Sequence, residues 1–383
     1  MRLDLDAPLT LEAIAAIAAD ATAVDAEGRF PRAGIDELAR AGLLGLGLPQ
    51  SLGGAGGGPL EFVEVVEQVA AACASTGMVY VMHVVGGQTL LAGAGGADAT
   101  GPQREALEAM AAGRHLTTLA YSERGSRGHF WAQVSHAVED GDGLVVDADK
   151  TWATSAGHVD SYVLAVGAPN TDDPLSTELY LVPSDADGLT VPSHFDGLGM
   201  RGNASAPLRV RGLRLSQEQR LGDEGSGFGL MMTATLPWFA LGSAACSVGI
   251  AAAALDAAIA HAKGARLDHD AASLAQVPGV RARLAYARVR LRESRALLHE
   301  VAGAVAGDDP SAQEGVLAVK ASAAEMAIEV SDLAMRVGGG AAYSKQGPLE
   351  RHLRDARAAA VMAPTTELLH DFLGKAITGQ ELF

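Results

Sequence analysis

The sequence predicts a mostly α-helical α+β protein of three successive units: an N-terminal helical domain at residues 1–114, a middle antiparallel, β-barrel-like domain at 115–224 and a C-terminal helical bundle at 225–383. Apolar residues recur at helical spacing in the first unit, short β-type runs separated by turns fill the second, and long apolar helical segments return in the third. With 383 residues, 48% of them hydrophobic, the chain is long enough to bury a large core without disulfides.

Five helices are predicted in the first unit. Its Ala-rich segments place apolar residues three and four positions apart, and turn residues mark where each segment stops. Gly42 ends the second segment, and the glycine-rich stretch at 53–58 cannot remain helical. The predicted helices cover residues 10–26, 35–39, 60–74, 78–92 and 103–112.

The middle unit changes to short β-type runs. Polar turns, such as DGDG at 140–143, separate the runs. The predicted strands cover residues 115–121, 143–147, 161–166 and 178–182. Runs of this length with frequent turns predict an antiparallel sheet or a small barrel.

The third unit returns to helices, most clearly at 280–306 and 312–336. The segment 230–255 contains no charged residue and exceeds the ~20 residues that span a bilayer. Its many small residues and Pro237 make insertion into a membrane unfavourable. We therefore predict a helix buried in the bundle and no membrane span.

Composition excludes several classes of partner. Lys and Arg number 29 against 46 Asp and Glu, and a net charge of −17 would repel a nucleic-acid backbone. Cys73 and Cys246 lie in apolar surroundings and predict buried, reduced thiols. The first ten residues carry acidic side chains and lack the apolar core of a signal peptide, so a cytoplasmic location is expected.

Four side chains of the β unit are candidates for binding a planar ligand. Trp152 and Thr154 are two residues apart and are therefore predicted to project from one face of a strand. A flat indole beside a hydroxyl can cover an isoalloxazine ring and hydrogen-bond its polar edge, although a strand Trp is more often a core residue. Tyr121 and Ser122 end another predicted strand and add two more hydroxyls.

Other site classes find little support in the sequence. The glycine-rich stretches at 45–58 and 225–229 lack the βαβ frame of a dinucleotide site. No cluster of metal ligands in register and no Gly-x-Ser-x-Gly nucleophile motif is present. The arginines at 281–295 are interpreted as a solvated face or subunit contact, with CoA or flavin phosphates as the alternative.

Taken in order, several short motifs resemble those of the acyl-CoA dehydrogenase flavoprotein superfamily over essentially the whole chain. The most informative are GGG at 338–340, PLER at 348–351, RD at 354–355 and APTTE at 363–367. Earlier ones are AGLLG at 41–45, KTWAT at 150–154, GMRG at 199–202 and LGDEGSGF at 221–228. None is specific alone, but their number and order are.

The resemblance implies a subunit with a C-terminal four-helix bundle, FAD bound between the β domain and the bundle, and a homodimer or homotetramer. The residues implied at the flavin ring are Tyr121, Ser122, Trp152, Thr154 and Thr365. Those implied elsewhere in cofactor binding are Arg266, Arg336, Gly339 and Gly340. The family's Phe-Gly after Arg266 is absent, and Arg336 stands where the family has Gln, so FMN or FMNH2 is an alternative to FAD.

The resemblance also implies an acyl-CoA or related acyl thioester as substrate, but the usual base is missing. Ala363 stands where the family's Glu removes the α-proton, and a methyl group cannot accept a proton. The family's second position for this base falls near Phe239, which is not a carboxylate either. Glu367, one helical turn beyond Ala363, is the candidate base, and Glu123 is a more distant one.

Three functions therefore remain open. A dehydrogenase with a displaced base would oxidise a CH–CH bond, transfer the hydride to flavin and reduce an electron-transfer flavoprotein. A monooxygenase that uses reduced flavin needs no base for an α-proton, and His129 or His370 would steer oxygen or protons. A non-catalytic subunit would complete the FAD site of a related partner in a heteromer.

Overall fold

The computed structural model describes residues 8–141, 143–171, 173, 175–267 and 272–383. The five predicted N-terminal helices are confirmed, with slightly longer bounds in most cases. They are α1 (Pro8–Glu27), α2 (Arg32–Arg40), α3 (Pro59–Ala72), α4 (Ala74–Gly93) and α5 (Gly101–Ala111). The glycine-rich loop ends at α3, where Pro59 occupies the first turn and the backbone N–H of Gly58 donates to Glu61 Oε2 at 3.0 Å.

The middle domain consists of two four-stranded sheets, and its β character is confirmed. The strands are β1 (Thr117–Ala120), β2 (Val138–Asp140), β3 (Gly143–Ala153), β4 (Ser161–Gly167), β5 (Thr177–Pro183), β6 (Leu189–Thr190), β7 (Ala206–Leu215) and β8 (Arg220–Leu221). The strand orders are β1-β4-β5-β8 and β2-β3-β7-β6. One pairing departs from the antiparallel prediction: β1 and β4 are parallel, because the long excursion through β2 and β3 separates them.

The C-terminal domain is a helical bundle. Its helices are α6 (Gly227–Leu230), α7 (Leu236–Gly264), α8 (Pro278–Ala306), α9 (Ala312–Ala342), α10 (Leu349–Asp355), α11 (Ala358–Val361) and α12 (Thr366–Ile377). A π turn at Met231–Thr235 joins α6 to α7, and β9 (Arg266–Leu267) pairs with β10 (Ala272–Ser273) between α7 and α8. The predicted mostly helical fold of three units is confirmed.

Helix α7 is the central helix of the molecule and contains most of the charge-free segment. It packs against α3 and α4 of the first domain and against α8 and α9 of its own. Small residues permit this approach: a Cβ added at Gly249 would lie 2.3 Å from the Glu67 carbonyl oxygen. By length and composition the helical stretch Gly227–Gly264 could cross a membrane, but 83% of its apolar window is buried inside the protein. Cys73 and Cys246 are buried and free, as predicted.

Candidate functional site

A cavity of about 540 Å³ lies where the three domains meet. Its wall comes from α4, the loops after β1 and β3, the connection between β6 and β7, the start of α7 and the segment joining α10 to α12. The large apolar residues of the wall include Met78, Met82, Leu119, Phe130, Phe195, Leu198, Met200, Leu236, Phe239, Val361 and Met362. The cavity is therefore suited to a ligand with a substantial apolar part.

Four of the residues predicted at the flavin ring line this cavity: Tyr121, Ser122, Trp152 and Thr154. Tyr121 is held by a chain of hydroxyls, since its Oη lies 3.3 Å from Thr235 Oγ1, which lies 2.8 Å from Thr89 Oγ1. Thr235 ends the π turn before α7, a type of helix irregularity common at functional sites. Burial raises the pKa of Tyr121, so its phenol remains a neutral hydrogen-bonding group.

Trp152 and Thr154 do not share a strand face, so that part of the prediction was wrong. Trp152 has a positive φ of 59°, and the register with β7 shifts between Lys150 and Ala153. This irregularity breaks the alternation of side chains. As a result, 71% of Trp152 is exposed whereas only 5% of Thr154 is, and Thr154 Oγ1 lies 3.1 Å from Ser205 Oγ.

These groups fit a flavin ring. The exposed indole of Trp152 offers a flat apolar surface at the cavity wall, where stacking is favourable. The hydroxyls of Ser122 and Thr154 lie on the same wall and are able to hydrogen-bond a polar ring edge. Bound flavin would therefore be held between the β domain and the helical domains.

Thr365, Glu367 and His129 do not line the cavity. Thr365 is the N-cap of α12, and its Oγ1 accepts from the Leu368 N–H at 3.4 Å. Glu367 is exposed in the first turn of α12. His129 is exposed too, and its ring packs edge-on against Trp131 at 5.2 Å.

The more distant candidate base, Glu123, is part of a buried ion pair. Its Oε1 lies 2.6 Å from Lys150 Nζ, and its Oε2 accepts from the backbone N–H groups of Val134 at 2.9 Å and Ser135 at 2.7 Å. Burial lowers the pKa of Lys150, and the Glu123 charge opposes that shift. Sequence reasoning missed this pair, although the alternation of β3 places Lys150 on the same inward face as Val146 and Ala148.

The cavity wall provides no proton acceptor of the usual kind. Ala363 is part of the wall and precedes a cis peptide bond to Pro364. Phe239, at the family's second position, also lines the wall. Across the described residues, no Asp, Glu, His, Lys or Cys contributes to it.

A second buried lysine supports the segment that contains Ala363. Lys320 of α9 is fully buried, and its Nζ donates to the carbonyl oxygens of Ala359 at 3.1 Å, Met362 at 3.0 Å and Pro364 at 2.7 Å. Burial lowers its pKa to about 7. No sequence pattern indicates this role, because the acceptors are backbone oxygens about forty residues away.

The remaining predicted cofactor residues lie on the surface of the bundle, away from the cavity. Arg266, Arg336, Gly339 and Gly340 are all exposed. Gly339 has φ 56° and ψ −142° and interrupts the helical backbone of α9. The missing Phe-Gly falls at 268–270, outside the described residues. No group of three or more metal-ligating side chains occurs among the residues that the structure describes.

Comparisons with known proteins agree with this architecture. Models of the N-terminal, middle and C-terminal domains of acyl-CoA dehydrogenase match residues 12–114, 118–213 and 225–378. The probable acyl-CoA dehydrogenase YngJ of Bacillus subtilis is 31% identical over 354 residues, or 92% of this chain and 91% of that protein.

Solved structures share the fold, and two are given as examples. Butyryl-CoA dehydrogenase from Megasphaera elsdenii has a TM-score of 0.89 at 23% identity, covering 99% of this chain and 100% of that one. FMN-bound TdsC from Paenibacillus sp. A11-2 has a TM-score of 0.86 at 21% identity, covering 97% and 96%.

Three domain matches in order, a full-length relative and a cavity that fits a flavin ring lead to one conclusion. The chain belongs to the acyl-CoA dehydrogenase family and is an enzyme of the acyl-CoA dehydrogenase-like flavin oxidoreductase type.

Proposed function

We propose that this enzyme is a monooxygenase that uses a reduced flavin to oxidise an apolar substrate. The proposed form of the flavin is FMNH2. The composition of the cavity wall carries the proposal: within the described ranges it combines apolar side chains, hydroxyls and arginines, but no carboxylate or imidazole. Reduced flavin, when bound, supplies the electrons that activate molecular oxygen. The reaction then needs no side chain to remove an α-proton.

Dehydrogenation makes a demand that this cavity does not meet. Removal of an α-proton requires a base within hydrogen-bond reach of that proton. Ala363 offers a methyl group, Glu367 points from the exposed first turn of α12, and Glu123 is occupied by Lys150 and two backbone N–H groups. Neither Glu367 nor Glu123, the two carboxylates predicted as bases, is therefore available in the cavity to accept an α-proton.

The chain's own residues would bind and orient the reactants. Trp152 would cover the flavin ring, with Ser122 and Thr154 at its edge. Tyr121, neutral and fixed through Thr235, would present a hydrogen bond to substrate or flavin. The apolar wall would exclude water from the oxidant and select an apolar substrate.

A second candidate, oxidation of an acyl thioester such as an acyl-CoA, is favoured by the 31% identity to a probable acyl-CoA dehydrogenase over nearly the full chain. On this hypothesis the missing carboxylate would come from a related subunit, and an electron-transfer flavoprotein would accept the electrons. FAD would then be the expected cofactor.

We also propose assembly into a homodimer or homotetramer. The exposed positions of Arg266, Arg336, Gly339 and Gly340 on the bundle leave them free to contact the flavin of a neighbouring subunit. Native mass spectrometry of the flavin-loaded protein tests this proposal, and a monomer that binds flavin fully would contradict it.

The reaction is tested by two measurements on the purified chain. In the first, protein loaded with anaerobically reduced FMN is mixed with oxygen and indole, the compound named in a TdsC structure with FMN. A delayed return of the oxidised flavin spectrum, with isotopically labelled oxygen in the product, supports the monooxygenase. In the second, the flavin-loaded protein is mixed anaerobically with butyryl-CoA. Bleaching of the flavin would overturn the monooxygenase in favour of the dehydrogenase.

Two further outcomes are informative. If labelled oxygen enters no product but the flavin still returns slowly to the oxidised form, the oxygen chemistry stands and indole is the wrong substrate. If the chain acquires flavin only with a related second polypeptide, the chain is the non-catalytic subunit.

Trp152→Ala should weaken flavin binding about tenfold through lost stacking and burial. Tyr343→Ala, which changes another exposed aromatic outside the cavity wall, is the matched control.

A further inference from the structure

We infer that Arg127 and Arg357 form a binding site for a phosphoryl group of the cavity's ligand. This inference rests on the proposed function only in assuming that the cavity is the ligand site. The phosphoryl group has two possible sources, the flavin itself or a phosphorylated substrate such as a CoA ester.

The first observation is an excess of positive charge on the cavity wall. Arg127, Arg354 and Arg357 all contribute to the wall, which has no acidic residue within the described ranges. Arg354 is neutralised, because its guanidinium is 2.6 Å from Asp25 Oδ2 and 2.7 Å from Glu350 Oε2.

Arg127 and Arg357 differ from Arg354 in this respect. Both are exposed, and among the described residues neither guanidinium has an ion-pair or hydrogen-bond partner. The wall thus retains two uncompensated charges in a chain whose net charge is −17. Arginine provides several N–H donors in a fixed planar arrangement that matches phosphate oxygens, and two of them balance a phosphate dianion.

The second observation is backbone strain at the same wall. Arg127 has a positive φ of 51°, and two further wall residues, Trp152 at 59° and Met200 at 48°, share this left-handed conformation. Residues other than Gly, Asn and Asp adopt that conformation only at an energetic cost. Such strain concentrates at ligand sites, where the surrounding structure maintains it. An arginine held in this conformation on the same cavity wall as the proposed ring-binding Trp supports a binding role.

The third observation is the location of each arginine. Arg127 belongs to the loop after β1 that also provides Ser122 and Phe130, and Arg357 lies between α10 and α11, close in sequence to Ala363. The two charges therefore approach the cavity from the β domain and from the bundle. A ligand phosphate between them would connect the two domains.

The test compares ligands that differ only in their phosphates. Binding of FMN and riboflavin, each oxidised and dithionite-reduced, and of 4′-phosphopantetheine and pantetheine is measured by tryptophan fluorescence for the wild type, Arg127→Met and Arg357→Met. Arg124→Met is the matched control, since Arg124 is exposed in the same loop but outside the cavity wall. Loss of one charge-assisted contact should weaken the phosphorylated ligand about tenfold or more.

The pattern of losses identifies the source of the phosphate. If FMN binding weakens and riboflavin binding does not, the arginines hold the flavin phosphate. If binding of 4′-phosphopantetheine weakens while binding of pantetheine, FMN and riboflavin is unchanged, they hold a substrate phosphate. The inference is overturned if phosphorylated and phosphate-free partners bind the wild type equally, lose affinity equally, or respond equally to Arg124→Met. These are binding ratios, so they remain interpretable even if no oxygen insertion is found.

Discussion

Replacement of Lys320 by Met tests whether a buried ammonium group supports the cavity wall. Lys320 Nζ has three backbone carbonyl partners and no carboxylate among the described residues, and burial lowers its pKa to about 7 from the usual lysine value of 10.5. Methionine has a similar length and shape but cannot bind a proton. The variant therefore removes the titration while keeping most of the packing.

The sign of the effect follows from proton binding. Because the folded-state pKa is about 7, the unfolded chain holds more protons than the folded one between about pH 7 and pH 10.5. The free energy of unfolding should therefore rise with pH across that window. The full shift corresponds to roughly 5 kcal/mol, of which about 2 kcal/mol is gained between about pH 7 and pH 9.

Thermal unfolding of the wild type and Lys320→Met at several pH values measures this contribution. The wild type should gain about 2 to 3 °C in Tm relative to the variant between about pH 7 and pH 9 for a chain of this length. Other groups titrate equally in both proteins and cancel in the comparison. Lys345→Met, which changes an exposed lysine, is the matched control. Parallel pH profiles for the wild type and Lys320→Met would refute the reasoning.

Three further predictions concern stability. Lys150→Met should destabilise the fold by about 3 to 5 kcal/mol, because Glu123 would be left buried without its counterion; a denaturation midpoint close to that of the wild type would contradict this. Gly227→Ala should be destabilising by at least about 1 kcal/mol, since its Cβ would lie 2.2 Å from a backbone oxygen, whereas Gly229→Ala, with open space, should be neutral or stabilising. His83 is buried between two backbone partners, and burial lowers its pKa to about 4. Because the unfolded chain binds this proton more readily, the free energy of unfolding should fall as the pH falls from about 6.5 to 4. Replacing His83 with Gln should flatten that acid slope in urea titrations, and an unchanged slope would show that other groups cause it.

The fold was predictable because its signals are local and repeated. Helical spacing, β-type runs and turn residues gave the three units, and ordered motifs gave the family. The parallel pairing of β1 and β4 was not predictable in this way, since it depends on how a forty-residue excursion returns. Strand pairing of this kind carries no local sequence signal.

Prediction of the site depended on backbone regularity. Tyr121, Ser122, Trp152 and Thr154 all line one cavity, but the shared-face argument for the last two failed because the register shift turns Trp152 outward. Thr365 lies outside the wall as a helix cap. Which side chains reach the cavity is decided by tertiary packing, which single-residue patterns do not record.

The meeting of three domains at one cavity has a consequence for the life of the protein in the cell. A ligand that contacts every domain stabilises only their assembled arrangement, by about 2.7 kcal/mol at a concentration one hundred times its Kd. Chains without cofactor should open at these junctions first and become substrates for proteases. Cofactor supply would thus set how long each copy survives, and limited proteolysis would report occupancy.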